Sequence, residues 1–344
     1  MALDFPNPAG QTPANTFSPT STPDSTTNGL TYTWDGSKWT ASVTETYASG
    51  PLAGFRNQLI NGNLQVNQRG VGATNAVGYH CDRWTKPNAA QIDWVEMQVL
   101  GYNGDAVRLI NLNGQPNALY RQAIELFNTG RDEPFTVGST WTLSLLTDNV
   151  GINLGNSGLQ WATDSAGNGA AVAANGGGWV NQGNGRFTNT FTIANAAPAT
   201  ATCLLVDIVW DTVNAAVGAF QLEPGPVATP FERRPIGTEL ALCQRYYQVV
   251  KPSATLTGNI STGGTQGFYV PYTFKTQLRV SNGNIVANPP NIRTAGATTD
   301  INLGGAAGFV RSVHQCVIKY DPGSATTGVY ILSSYPESSF EAEL

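Results

Sequence analysis

Two carboxylates placed on either side of a glycosidic bond can hydrolyse it, one as acid and the other as nucleophile or base. The chain offers Asp82, Asp93, Glu96, Asp132, Glu133 and Asp207 for such a pair. None of the six sits in a distinctive local pattern, so they read as surface acids or as turn residues bonded to backbone amides. A serine nucleophile needs a histidine base within reach; only His80 and His314 are present, and there is no Gly-x-Ser-x-Gly elbow. His80-Cys81-Asp82 places three metal-ligating side-chain types in a row, but neighbours on a strand point to opposite faces and rarely share one ion. His80 therefore reads as a polar residue at a strand edge, and Arg83-Trp84 as a pair packed by guanidinium-on-ring stacking or burial. Cys81, Cys203, Cys243 and Cys316 lie far apart without a CxxC spacing and read as four reduced thiols. No catalytic residue, metal or cofactor is expected. Sugar recognition asks for exposed rings beside polar groups, and Trp161 and Trp179, in Gly- and Asn-rich surroundings, are the rings expected to be accessible. Trp84, Trp94, Trp141 and Trp210 lie in strand-like patterns and are expected in the core.

The elements that would position these groups are strands. Only 12% of the 344 residues are charged, whereas glycine alone accounts for 38. That balance, with recurrent Thr, Asn and Ser and short apolar runs, favours many short strands and turns. A hydrophobic content of 41% and eight tryptophans argue for a packed core over disorder. A net charge of −5 with scattered arginines and lysines supplies no basic stripe for nucleic acid. No apolar run of about 18 residues exists to span a bilayer. The polar start lacks the basic and apolar regions of a secretion signal, so export by that route is not expected.

Along the chain, residues 1–28 are rich in Pro, Thr, Ser and Asn and are expected to be extended, needing a partner to be ordered. Leu30–Thr40 brackets Asp35-Gly36 with alternating arms, a hairpin signal that brings Tyr32, Trp34 and Trp39 within reach of one another. Between about 55 and 232, alternation predicts strands at 92–99, 106–112, 118–127, 140–146, 186–193 and 203–210, an antiparallel all-β unit. Gly225, Pro224, Pro226, Pro230 and Pro235 forbid a helix or central strand through 224–235, which reads as a strap pinned along a surface. Residues 238–250 predict a helix with Thr238 as N-cap, buried on several sides, either between two sandwiches or against copies of itself. Strands are expected beyond it at 267–274, 278–280, 308–320 and 328–335.

Several of these segments together resemble a known class. Asn57-Gln58-Leu59-Ile60-Asn61-Gly62-Asn63-Leu64-Gln65-Val66-Asn67-Gln68-Arg69-Gly70, Asp82-Arg83-Trp84, the strap Gln221–Pro235 and Thr238–Tyr247 resemble tail-fibre and related appendage proteins of tailed bacteriophages. The Leu3-Asp4-Phe5-Pro6 start and the Thr33-Trp34-Asp35-Gly36-Ser37-Lys38-Trp39 hairpin look like small attachment modules of phage structural proteins. Phe268-Tyr269-Val270-Pro271-Tyr272, Gln277-Leu278-Arg279-Val280 and the Glu341-Ala342-Glu343-Leu344 end resemble the C-terminal domains of the same proteins, with a weakened Phe-Pro-x-x-Met-Arg pattern.

The resemblance implies an all-β chain: an N-terminal arm and hairpin (1–50), a jelly-roll-like β-sandwich (51–235), a linking helix (236–250) and a distal C-terminal β-sandwich (251–344). It implies a non-enzymatic virion component assembled in the host cytoplasm, a homotrimer docked on tail or neck proteins through Leu3, Phe5, Tyr32, Trp34 and Trp39. Its β domains would face the host surface for adsorption, with host glycan as a partner at Trp161 and Trp179 and neither nucleic acid nor membrane insertion involved. A head or collar fibre without receptor binding, a glycan depolymerase and a stand-alone carbohydrate-binding module are the other readings the sequence leaves open.

Overall fold

The computed structural model describes residues 16–17, 20–21, 26–27, 30–34, 37, 39–43, 55–126, 134–250, 258–260, 268–279, 284–286, 291–294, 301–302, 304–312, 315–321, 328–332 and 338–343. The chain divides into two compact units, Met1–Gly54 and Phe55–Leu344.

In the first unit, Leu30–Trp34 pairs antiparallel with Trp39–Val43, Trp34 standing opposite Trp39. The hairpin expected around Asp35-Gly36 is therefore present as two paired strands. Thr16–Phe17 adds a third strand along Leu30–Trp34, and Thr20–Ser21 pairs with Thr26–Thr27. Leu3 and Phe5 lie outside the described residues.

The second unit is built on two six-stranded antiparallel sheets, and the all-β fold with one short helix is as the sequence predicts. Eight strands carry the topology: Tyr102–Asn111, Ala118–Glu125, Thr140–Thr147, Gly158–Ala162, Ala171–Asn175, Arg186–Thr192, Cys203–Trp210 and Ala216–Pro224. Numbered in that order, one sheet runs first, eighth, third, sixth and the other second, seventh, fourth, fifth, which is jelly-roll connectivity. Gln91–Val99 and Val180–Asn181 extend the first sheet, and Trp84–Lys86 with Gly78–Cys81 extend the second.

Alternation drives the inner faces together. Trp84 stacks on Tyr120 with ring centroids 5.1 Å apart and planes 4° apart, and Phe220 closes on Trp84 at 4.8 Å. Trp141 and Trp210 are buried as expected, while Trp94 is half-buried against the same core. Each such aromatic ring contributes about 1.5–3 kcal/mol by leaving water.

The helix differs from expectation at both ends. It spans Ile236–Gln244, two residues early, because Pro235 rather than Thr238 occupies the N-cap; the Pro235 carbonyl accepts from Thr238 and Glu239 amides. It stops at Arg245 because Tyr247–Val250 is claimed by a strand pairing with Ser338–Glu341, a long-range partner that overrides local helical pattern. Nor is it surrounded: Glu239, Cys243 and Gln244 are buried, whereas Ile236, Gly237 and Ala241 are exposed. One face packs and the other is open.

Beyond the helix, the described strands form three antiparallel sheets. Tyr247–Val250, Ser338–Glu341 and Asn284–Val286 make one; Gly258–Ile260, Gly328–Leu332, Asn291–Thr294 and Ile301–Asn302 make another. The third joins Phe268–Thr273, Gln315–Asp321 and Gly304–Ser312. The single strand expected at 308–320 is thus two strands paired with each other, and 278–279 is not strand: Arg279 is a bend drawn to the helix end, its amide donating to Arg245 carbonyl at 2.8 Å, while Val280 lies outside the described residues.

Candidate functional site

Residues 57–70, 82–84, 221–247 and 341–343 converge on one buried polar seam. Ala216–Pro224 lies between Thr140–Thr147 and Tyr102–Asn111, but its pairing with the latter ends at Gly218. From Phe220 onward the 57–62 segment takes over: the Phe220 amide donates to Gly62 carbonyl at 2.8 Å and the Gln58 amide to Leu222 carbonyl at 2.8 Å. The Asn57 side chain completes the join, its Nδ2 donating to Phe220 carbonyl at 3.0 Å and its Oδ1 accepting from the Leu59 and Leu222 amides. A Cβ on Gly62 would meet the Phe220 carbonyl oxygen at 2.2 Å, so glycine is required there by close backbone approach.

Asn61 does similar work one turn later. Its backbone sits at φ 56°, a region asparagine tolerates. Its amide donates to the Glu239 carboxylate, its side chain brackets Val66 and the Asp82 carbonyl, and its own carbonyl accepts from Trp84 Nε1 at 2.9 Å. Gln122 and Ile60 exchange a reciprocal pair of hydrogen bonds, both 2.7 Å. Arg234, at the strap's end, donates to the Asn57 and Leu59 carbonyls and pairs with Glu239 at 3.3 Å. The strap is pinned as its composition implies: Glu223 accepts from the Thr229 amide and hydroxyl, Gln221 Oε1 from the Glu232 amide, and Glu232 Oε2 from the Asn57 amide.

At the other end of the seam three arginines hold the C-terminal segment. Arg69 donates to Glu341 at 2.9 Å and Glu343 at 3.0 Å, its guanidinium 3.9 Å from the Tyr247 ring centroid and 4.4 Å from that of Tyr79. Arg83, buried and at φ 71°, donates to Glu343 and to the Ala123 carbonyl while lying 3.5 Å over the Tyr246 ring. Arg83 thus stacks on Tyr246, not on its neighbour Trp84. Arg279 grips the same segment by its backbone, donating to the Ala342 and Glu343 carbonyls at 3.0 and 3.1 Å. In the sequence Arg69, Arg83, Arg279, Glu341 and Glu343 stand in separate motifs, and the signal that could join them is that arginine far outnumbers lysine in a charge-poor chain.

The electrostatics of the seam hold groups in place. Burial pushes the Asp82 carboxyl up to about 6, against the lowering effects of its hydrogen bonds from Gln68 and of Arg69 nearby. Burial likewise raises the Cys81 and Cys243 thiols and lowers His80, so these groups rest neutral. Cys81, Cys203 and Cys243 are buried free thiols.

The structure corrects several expectations. His80 does sit on an edge strand, Gly78–Cys81, but it is buried there: it is 1% exposed, with Nε2 3.1 Å from the Gly72 carbonyl and Nδ1 3.2 Å from the Tyr120 hydroxyl. Cys81 Sγ reaches the same hydroxyl at 3.2 Å. Adjacent residues point the same way because the register slips between Tyr79 and Cys81. Among the described residues no group of three His, Cys, Asp or Glu side chains gathers as a metal set. Asp82 and Asp207 are buried rather than superficial, Asp207 held bidentate by Arg121 at 2.6 and 2.9 Å. Asp93 and Glu96 lie on Gln91–Val99, half-buried and exposed respectively, and Asp132, Glu133 and His314 lie outside the described residues.

Of the two rings expected to be accessible, Trp161 is 1% exposed and donates from Nε1 to the Asn195 carbonyl. Its strand is paired on both sides, which the polar flanks concealed, so it cannot stack on a sugar. Trp179 is half-buried, anchored to Ser157 Oγ at 3.1 Å. Tyr32, Trp34 and Trp39 lie on the N-terminal hairpin.

No protein-family model matches the chain, and no curated protein does. Among solved structures, the N-terminal CBM22-1 and GH10 modules of Clostridium thermocellum endo-1,4-β-D-xylanase 10B, complexed with xylohexaose, are similar at 15% identity and a TM-score of 0.26. That similarity covers 48% of this chain and 30% of the xylanase chain. Among the described residues no helix is long and apolar enough to cross a membrane.

Proposed function

We propose that this protein is a non-enzymatic structural component of a bacteriophage virion, a tail fibre or similar appendage. It attaches through its N-terminal unit and carries its β-sandwich toward the host surface for adsorption. One observation supports this reading above the others: several of the stretches resembling phage appendage proteins, 57–70, 82–84, 221–247 and 341–343, meet in the seam. Asn57, Asn61, Arg69 and Arg83 reach Glu232, Glu239 and Glu343 across most of the sequence. Such a seam locks sandwich, helix and C-terminal segment into one stiff body, which is what a projecting element requires. The buried carboxylates are engaged in pairing and backbone capture, consistent with a scaffold role.

The N-terminal unit is the attachment module in this account, with Leu3, Phe5, Tyr32, Trp34 and Trp39 facing tail or neck proteins, and three copies form the appendage. Deleting residues 1–50 is the test. Particles grown with the truncated chain should lack it, while full-length protein gives a light-scattering mass of three 36.4 kDa copies. Undiminished incorporation of the truncated chain would overturn the attachment role.

A further inference from the structure

A cleft of about 400 Å³ opens on the outer side of the sheet that contains Ala216–Pro224, beside the strap, and falls in the size range of small-ligand sites. Its floor is a β-bulge. Ser144 pairs with Gln221 but Leu146 pairs with Gly218, so Ala219 and Phe220 together oppose Leu145. Ala219 takes φ 52°, a left-handed conformation costly for a residue with a Cβ. Bulges and strained backbone of this kind gather at sites where a sheet is re-aimed for binding. Phe220 is thereby sent into the core and Ala219 lines the cleft.

The walls combine cations with apolar surface. The strap supplies Phe231, half-buried and edge-on to Tyr102 at 5.8 Å, and Arg233, exposed and 5.0 Å over the Tyr102 ring. Arg186 enters from the neighbouring strand, steadied by the Thr229 carbonyl. Among the described residues two guanidinium groups and no carboxylate line the cleft, in a chain of net charge −5. Acids on the adjoining segments are engaged elsewhere: Asp105 accepts from Trp94 Nε1 at 2.9 Å, Glu232 from the Asn57 amide and Glu223 from Thr229.

We propose that this cleft binds a carboxylate-bearing sugar of a surface polysaccharide. The bulged, apolar floor and Phe231 receive the C–H face of a pyranose ring, and Arg233 with Arg186 receives its carboxylate, the planar fork matching two oxygens. The assignment rests on the adsorption reading and gives it a ligand class. It also relocates glycan contact from Trp161, which is buried, to a site formed by Tyr102, Phe231, Arg186 and Arg233.

Calorimetric titration of the full chain with trigalacturonate and with neutral galactotriose tests it. Trigalacturonate should bind, and the neutral trisaccharide should bind at least about tenfold more weakly. Arg233→Ala should weaken trigalacturonate binding about tenfold, and Arg233→Glu should abolish it. Because Arg233 is exposed and, among the described residues, its further contact is a 3.5 Å hydrogen bond to the Asn103 carbonyl, both variants keep the fold. Equal binding of the neutral sugar, unchanged binding by Arg233→Glu, absence of binding, or equally tight binding of a tri-aspartate peptide each overturns the assignment. Failure here with the protein still found on particles refutes the cleft alone. Binding by a chain absent from particles refutes the virion reading and leaves the cleft standing.

Discussion

Replacing Arg83 with Met keeps an unbranched stem and the same backbone demand at φ 71°, so the substitution isolates the guanidinium. Three interactions disappear: the charge-assisted bonds to Glu343 and the Ala123 carbonyl, and the stacking over Tyr246 at 3.5 Å. Removing one partner from a buried pair costs about 3–5 kcal/mol because a charge is left uncompensated. Here Glu343 keeps Arg69 at 3.0 Å, so the expected loss lies at the low end, about 3 kcal/mol. Urea unfolding followed by tryptophan fluorescence reads the total. Hydrogen exchange reads the location: the Ala342 amide, bonded to Tyr246 carbonyl at 2.7 Å, should lose protection before the sandwich strands do. In a double-mutant cycle with Glu343→Gln, the combined loss should fall short of the sum by at least about 1 kcal/mol. An Arg83→Met loss under about 0.5 kcal/mol, the size of an ordinary surface change, or additive single losses, would refute the idea that Arg83 clamps the C-terminal segment.

Asp82 makes a prediction about pH. Its folded value of about 6 stands above the ordinary 3.8, so the folded state favours the protonated form. Its contribution to stability is full below 3.8 and is lost as pH rises through about 6. The gap is worth about 3 kcal/mol. Asp82→Asn, which keeps an acceptor for Gln68, should therefore gain stability relative to the parent between pH 4 and 7 by up to about 3 kcal/mol; parallel stability-versus-pH curves for the two proteins would contradict this. Gly62→Ala should lower stability by at least about 1–3 kcal/mol, because a Cβ at 2.2 Å from Phe220 oxygen forces the 57–62 segment off its strand. A melting temperature within a degree of the parent would show that the join yields without cost.

Much of the fold is legible where the signal is local. Strands such as Cys203–Trp210 and Thr140–Thr147 announce themselves by apolar runs between turns, and the hairpin by Asp35-Gly36. Pro224 to Pro235 stop the last sandwich strand at Pro224, where it ends. What was hidden depends on distant partners. Tyr247–Val250 reads as helix until Ser338–Glu341 pairs with it. Trp161 reads as exposed from its polar flanks, yet strands on both sides bury it. The seam and the cleft were hidden for the same reason: Arg69 meets Glu343, and Phe231 meets Tyr102, only once the chain has folded.

The central claim is that this chain is carried on a virion. Immunogold labelling of purified particles with antibody raised against residues 55–344 addresses it directly. Label is expected on appendages at the tail or neck, and none on particles whose copy lacks residues 1–50. Purified, infectious particles without label, made by a host that contains the protein, would contradict it.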